Sequence, residues 1–150
     1  MNQRLNFATA APELYEHLSA LDQLIGEHIE HSLFELVKLR ASIINGCAFC
    51  VDMHSADALK AGESTARLFG LAAWWETPLY TPRERAALAL TDAATEFGGR
   101  GVPDDVYEAA SAEFDDEALA YLVAAIGMIN FWNRMAITFQ TTPRSARGGR

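Results

Sequence analysis

Cysteine is nearly absent from this chain of 150 residues: there are two, Cys47 and Cys50. A single domain of this length buries an adequate core without disulfide staples, so the pair is not needed as scaffolding. Basic charge is also scarce. Twelve Lys and Arg stand against twenty Asp and Glu, a formal net charge of −8, and the only basic run is the C-terminal tail. That argues against nucleic acid or an anionic membrane surface as the main partner, since either demands a basic patch. Long apolar runs are missing too. The longest, Ala118 to Ile129, is too short to span a bilayer, and Asn130, Asn133 and Arg134 follow at once. The opening MNQRLNFATAAPEL has no uninterrupted apolar core of the length a secretory signal needs, so the expected location is cytoplasmic. Strand alternation never persists beyond three or four residues, and the cysteine pair is not repeated.

What is present is helical periodicity. Residues 1–11 read as a poorly structured lead-in, 12–140 as one helical domain, and 141–150, with Pro, Ser, Gly and three arginines, as a disordered tail. Pro12 suits a first helical turn, and Leu14, Leu18, Leu21 and Ile25 form a stripe behind it. A second helix is expected from about Glu30 to the Asn45-Gly46 break, and a third from about Cys47 to Ala61 with Gly62 as its stop. Ser64 caps a fourth, running to the pair Trp74-Trp75, of which one is expected outside the core. Thr81-Pro82-Arg83-Glu84 is the clearest helix start, with cap, N1 proline and capping-box glutamate together. A short helix follows Pro103, and the last, capped by Asp115, is apolar on nearly every face from Leu119 to Phe139, so it is expected to be buried all round. The fold class is all-α, with about seven helices.

Reactive groups converge on ELVKLRASIINGCAFCVDMH, Glu35 to His54. On one helix, Cys47, Cys50 and His54 at i, i+3 and i+7 stay within about 60° of one face, at roughly 100° per residue. If the helices on either side of Asn45-Gly46 form an antiparallel hairpin, Glu35 comes to lie beside His54, both roughly 12–15 Å from the break at 1.5 Å per residue. That order suggests a relay: a carboxylate orients an imidazole, and the imidazole takes a proton from a thiol. Which thiol is the nucleophile stays open. Cys47 is nearest the helix N-terminus, which favours an anion, whereas Cys50 is i, i+4 from His54 and within reach of a general base.

Other readings of these residues compete. A thioredoxin-type C-x-x-C follows a strand, and no strand is in evidence. A zinc site could use Cys47, Cys50, His54 and Glu35, but such sites usually draw their second pair of ligands from a separate segment. Taken singly, each cysteine is a small buried hydrophobe and His54 a satisfied core histidine, a reading weakened by four reactive groups meeting in one place. His28 and His31 with Glu27 and Glu30 read as a solvated helix start rather than a metal site, and His17 as surface. Asn130, Asn133 and Arg134 need partners, expected across a subunit boundary.

The whole pattern resembles the alkylhydroperoxidase D (AhpD) and carboxymuconolactone decarboxylase superfamily, single-motif AhpD-like branch. Glu35, Asn45-Gly46, Cys47, Cys50 and His54 carry the resemblance. So do Val37 to Ser42, Asp52-Met53-His54, the Ala73-Trp74 region, Arg83 to Leu88 and Trp132-Asn133-Arg134. It implies an all-helical AhpD-like protomer in a homo-oligomer, a trimer or hexamer, with peroxidase or disulfide-reductase activity and no cofactor. By that resemblance Cys50 attacks the hydroperoxide and becomes a sulfenic acid, Cys47 resolves it to a disulfide, and Glu35 and His54 relay the proton. A dithiol or lipoyl-type compound would be the reductant. One departure stands out: the hydroperoxidase branch has a second histidine where this chain has Phe49. The decarboxylase branch lacks the cysteine pair, so lactone decarboxylation is not expected. The alternative reading is a non-enzymatic redox-sensing or metal-binding module built on the same C-x-x-C.

Overall fold

The computed structural model describes residues 2–148, and every regular element among them is a helix. In chain order they are α1 (Phe7–Ala10), α2 (Pro12–Gly26), α3 (His31–Ile44), α4 (Ala48–Lys60), α5 (Thr65–Gly70), α6 (Pro82–Thr95), α7 (Asp104–Glu113) and α8 (Asp116–Thr138). Short 3₁₀ turns occupy Leu71–Glu76 and Ser145–Gly148. The all-α expectation holds, with eight helices instead of about seven. None of the helices is long and apolar enough to cross a membrane.

The centre of the fold is α3, in which every residue from Leu33 to Ser42 is buried. Its faces feed three apolar clusters. Leu33 and Val37 pack with Ala87 and Leu90 of α6 and Leu122 and Ile126 of α8. Leu36 and Leu39 meet Ala58, Leu68, Leu71, Trp74 and Leu88. Phe34 joins Ile25, Ala125 and Met128. At about 1.5–3 kcal/mol for each fully buried Leu or Val side chain, this helix contributes more to stability than its share of residues.

The central place expected for α8 therefore belongs to α3. Within the chain α8 buries one face, Leu119, Leu122, Ala125, Ile126 and Ile129, and turns Ala120, Val123, Ala124 and Gly127 outward. The charges of α3 hide its burial from a hydropathy reading: Glu35, Lys38 and Arg40 are all inside, each with a partner from another helix. In α2 only Ile25 is fully buried; Leu14 and Leu21 of the expected stripe are exposed.

The helix expected from Ser64 to Trp75 breaks into α5 and a 3₁₀ turn, with Ala73 outside helical geometry (φ −140°, ψ 46°). Two arginines bind the carbonyls around the break. Arg40 donates to the Leu71 and Ala72 carbonyls, and Arg85 to those of Trp74, Trp75 and Thr77. Trp74 is inside and Trp75 half-exposed.

The lead-in contains α1, capped by the Asn6 side chain and packed through Phe7 against Tyr15, Phe131, Trp132 and Phe139. Arg4 clasps the end of α8 through Phe139 O (2.8 Å) and Thr138 O (3.1 Å). The tail, expected to be disordered from Thr141, is described as far as Gly148; Gly149 and Arg150 lie outside the described residues, as does Met1 of the lead-in. Ser145 N donates to Asp52 Oδ2 (3.1 Å), and hydrogen bonds from Ser145 hold the Asp52 carboxyl below its ordinary range.

Candidate active site

Two adjoining caps build the turn that carries the thiols. Gly46, at φ +68°, ends α3 in the left-handed conformation that only glycine adopts freely. Gly46 N then reaches Ile43 O (3.2 Å) and Cys47 N reaches Ser42 O (2.9 Å), the paired bonds of a Schellman motif. Cys47 is at once the last residue of that motif and the N-cap of α4, its Sγ accepting from Cys50 N (3.3 Å). The chain thus reverses within three residues, and α4 runs back along α3. Cys47 and Cys50 are joined as a disulfide across a Cα–Cα separation of 5.3 Å.

The reversal brings Glu35 to His54. Glu35 Oε2 and His54 Nδ1 are 2.8 Å apart, and both side chains are buried. With Nδ1 committed to the carboxylate, Nε2 is the nitrogen left to exchange a proton. Cys50 lies one turn from His54 on the same helix, and each sulfur-bearing residue is only 1% exposed. Cys50 and His54 border a cavity of about 550 Å³, whose wall also includes Phe49, Met53 and Trp132, whereas Cys47 is not part of that wall. Glu35, behind His54, borders a separate cavity of about 120 Å³ with Ser32 and Glu63. All four residues singled out from spacing are therefore together.

Polar groups that spacing did not reveal complete the surroundings. Lys38, one turn after Glu35, forms an ion pair with Asp22 of α2 (2.7 Å), and both border the larger cavity. The visible signal was a lysine on the glutamate's own helix face within an apolar segment. Asn45 donates to Asn130 Oδ1 (2.9 Å) and Asn133 Oδ1 (2.8 Å), and Asn133 Nδ2 to Ser42 Oγ (3.0 Å). These asparagines anchor the α3–α4 turn to α8, finding partners inside the chain. Arg134 donates to Asn130 O, also within α8.

With the sulfurs joined, the pair offers no thiolate to a metal ion. His28 stacks on Tyr121 (3.9 Å between centroids), with Nδ1 2.9 Å from Leu24 O. Among the described residues no three His, Cys, Asp or Glu side chains are grouped to hold a metal.

Residues 12–93, more than half of the chain, match the pattern of the Carboxymuconolactone decarboxylase family. The chain belongs to that family. Its AhpD-like character is visible in the relatives. The uncharacterised protein YdfG of Bacillus subtilis (strain 168) is 39% identical over 138 residues, 91% of this chain and 94% of the relative. A solved protein of unknown function from Agrobacterium tumefaciens, ATU0492, named as a candidate antioxidant-defence protein AhpD, is 43% identical with a TM-score of 0.91, covering 95% of this chain and 98% of that one. An uncharacterised peroxidase-related protein with an alkylhydroperoxidase AhpD core, from Ralstonia eutropha JMP134, is 20% identical with a TM-score of 0.81, covering 93% of this chain and 75% of that one; at that identity the likeness is one of fold.

Proposed function

We propose that this family member is a thiol-dependent oxidoreductase that reduces hydroperoxides, with Cys50 as nucleophile and Cys47 as resolving thiol. One observation supports this reading above others: Cys50 and His54 border a cavity of substrate size while Glu35 holds His54 from behind and Cys47 lies beneath. Local helix effects alone leave the two thiols tied; access to the cavity favours Cys50.

In the reduced protein His54 takes the Cys50 proton. The thiolate attacks the outer peroxide oxygen, the O–O bond breaks, and the departing alkoxide takes a proton from the imidazolium to leave as an alcohol. Cys50 is then a sulfenic acid. The Cys47 sulfur attacks it, the S–O bond breaks, and water leaves as the disulfide forms. An external dithiol returns two electrons and two protons by thiol–disulfide exchange. Both sulfurs being nearly inaccessible, the fitting reductant is a slender dithiol such as a dihydrolipoyl arm. Glu35 keeps the imidazole oriented. Phe49, in place of a second histidine, leaves the relay to His54 and Glu35 and gives the cavity another apolar wall.

The test is consumption of cumene hydroperoxide with dihydrolipoamide as reductant. The wild-type protein turns over repeatedly, Cys50→Ser consumes none, and Cys47→Ser consumes one equivalent and stops with a sulfenic acid that dimedone traps. Reversal of the two variants would exchange the roles of the thiols. A wild-type protein that stops after one equivalent would be a redox sensor and not an enzyme.

A further inference from the structure

Cys50 is only 1% exposed, so what reaches it is decided by the wall of the larger cavity. Both ends of the chain contribute to that wall, and they are held differently. Near the N-terminus Phe7 packs against Tyr15, Phe131, Trp132 and Phe139, an apolar anchorage. The C-terminal segment is fastened to α4 by polar contacts at the surface. Ser145 N donates to Asp52 Oδ2 (3.1 Å), and Arg144 Nη1 lies 3.8 Å from Asp57 Oδ2, with 54% of the arginine side chain exposed. Asp57 is shared, its Oδ1 lying 3.5 Å from Lys60 Nζ. Exposed ion pairs of this kind contribute little, so the segment leaves α4 at small cost. It also has a defined pivot. Gln140, at φ +53°, is the one non-glycine among the described residues in the left-handed region; Thr141 N then closes the end of α8 on Ala136 O (2.9 Å).

We propose that residues 141–148 are a hinged strap, pivoting after Gln140, that sets the size of molecule able to reach Cys50. When the strap is closed, Thr141 and Arg144 stand in the cavity wall, and the site admits slender molecules only. When Ser145 leaves Asp52 and Arg144 leaves Asp57, that side of the wall is gone and bulkier molecules enter. Asp52 lies between Cys50 and His54 along α4, so the strap is fastened to the helix that carries the reacting groups. Selection of this kind works by exclusion: a clash with the closed strap rejects what the remaining apolar wall would accept. The inference goes beyond the peroxidase reading and does not depend on it, since access to Cys50 is a property of the cavity whatever reacts there.

The test measures access separately from turnover. In the full-length Cys47→Ser protein, Cys50 is alkylated by iodoacetamide, a small reagent, and by a pyrene-bearing maleimide, a bulky one. Ser145→Pro removes the N–H that Asp52 accepts, and Asp57→Ala removes the partner of Arg144; together they cut both fastenings and leave the cavity side chains in place. The doubly substituted protein is expected to react with the bulky reagent about tenfold faster, the effect of losing two exposed polar contacts, and with iodoacetamide at nearly the same rate. The ratio of the two rates is the readout, because a change in the reactivity of the thiol itself moves both together. An unmoved ratio, or equal acceleration of both reagents, would overturn the proposal. Should Ser145→Pro fail to fold, Asp52→Ala with Asp57→Ala cuts the same two contacts and decides by the same ratio. Consumption of cumene hydroperoxide by the protein with both thiols is read alongside. A moved ratio without turnover would remove the peroxidase reading and leave the strap; turnover with an unmoved ratio would remove the strap only.

Discussion

At the scale of residues, the molecule is held by charges placed where a hydropathy reading expects none. Glu35, Lys38 and Arg40 on α3 each meet a side chain from a different helix: His54 of α4, Asp22 of α2 and Asp92 of α6. Arg40 is the most fully engaged. Nε and Nη2 form a fork on Asp92 (2.6 and 3.0 Å), Nη1 donates to Leu71 O, and Trp74 Nε1 also donates to Asp92 (3.0 Å). Asp92→Ala would leave a buried guanidinium short of its counter-charge. A loss of about 3 kcal/mol is expected, the low end for a broken buried pair because Asp92 is partly exposed. Urea unfolding measures it, and a change under about 0.5 kcal/mol, the range of ordinary surface substitutions, would mean that the fork does not hold the helices together. Glu35, Cys47, Cys50 and His54 were legible because a helix hairpin brings together positions fixed by local spacing. Asp22 and Asp92 were not: each reaches its partner through tertiary packing, and nothing near either in sequence marks it.

At the scale of elements, what was legible followed from caps and breakers. The Thr81–Glu84 capping box, the Asn45-Gly46 break and the Asp115 cap all stand where the residues put them. The centre was misassigned because unbroken apolarity singles out α8, while burial follows α3, whose charged side chains each find a partner on another helix. Elements are also joined by charge. Arg67 of α5 reaches Glu84 at the start of α6 as well as Glu63. Burial would raise the Glu84 carboxyl, but hydrogen bonds from Arg67 and Thr81 outweigh it and hold it below its ordinary range. A carboxyl lowered by folding stabilises fully above its unfolded pKa, and that contribution disappears as pH falls through the folded value. The melting temperature should therefore drop between about pH 5 and pH 3, and less steeply in Glu84→Gln, which has no such titration. Parallel slopes for the two proteins would show that this junction does not contribute to acid sensitivity.

At the scale of the whole molecule, the site has a floor and a roof with different origins. The floor is the α3–α4 hairpin, a local structure. The roof comes from both ends of the chain: Gln3, Asn6 and Phe7 on one side, and Met135, Thr141 and Arg144 on the other, border the cavity over Cys50. Arg4 to Phe139 and Ser145 to Asp52 fasten these segments. A lead-in and a tail are how such segments read in isolation, since few of their residues carry a periodic signal, so the cavity was invisible while the thiols were plain. The central claim is that this enclosed setting activates Cys50 through His54. It is tested most directly by the pH dependence of Cys50 alkylation in the Cys47→Ser protein, with and without His54→Ala. The expected result is an apparent thiol pKa well below the free-cysteine value of about 8.5, rising when His54 is removed. A pKa at the free value, unchanged by His54→Ala, would contradict the relay and with it the enzymatic reading.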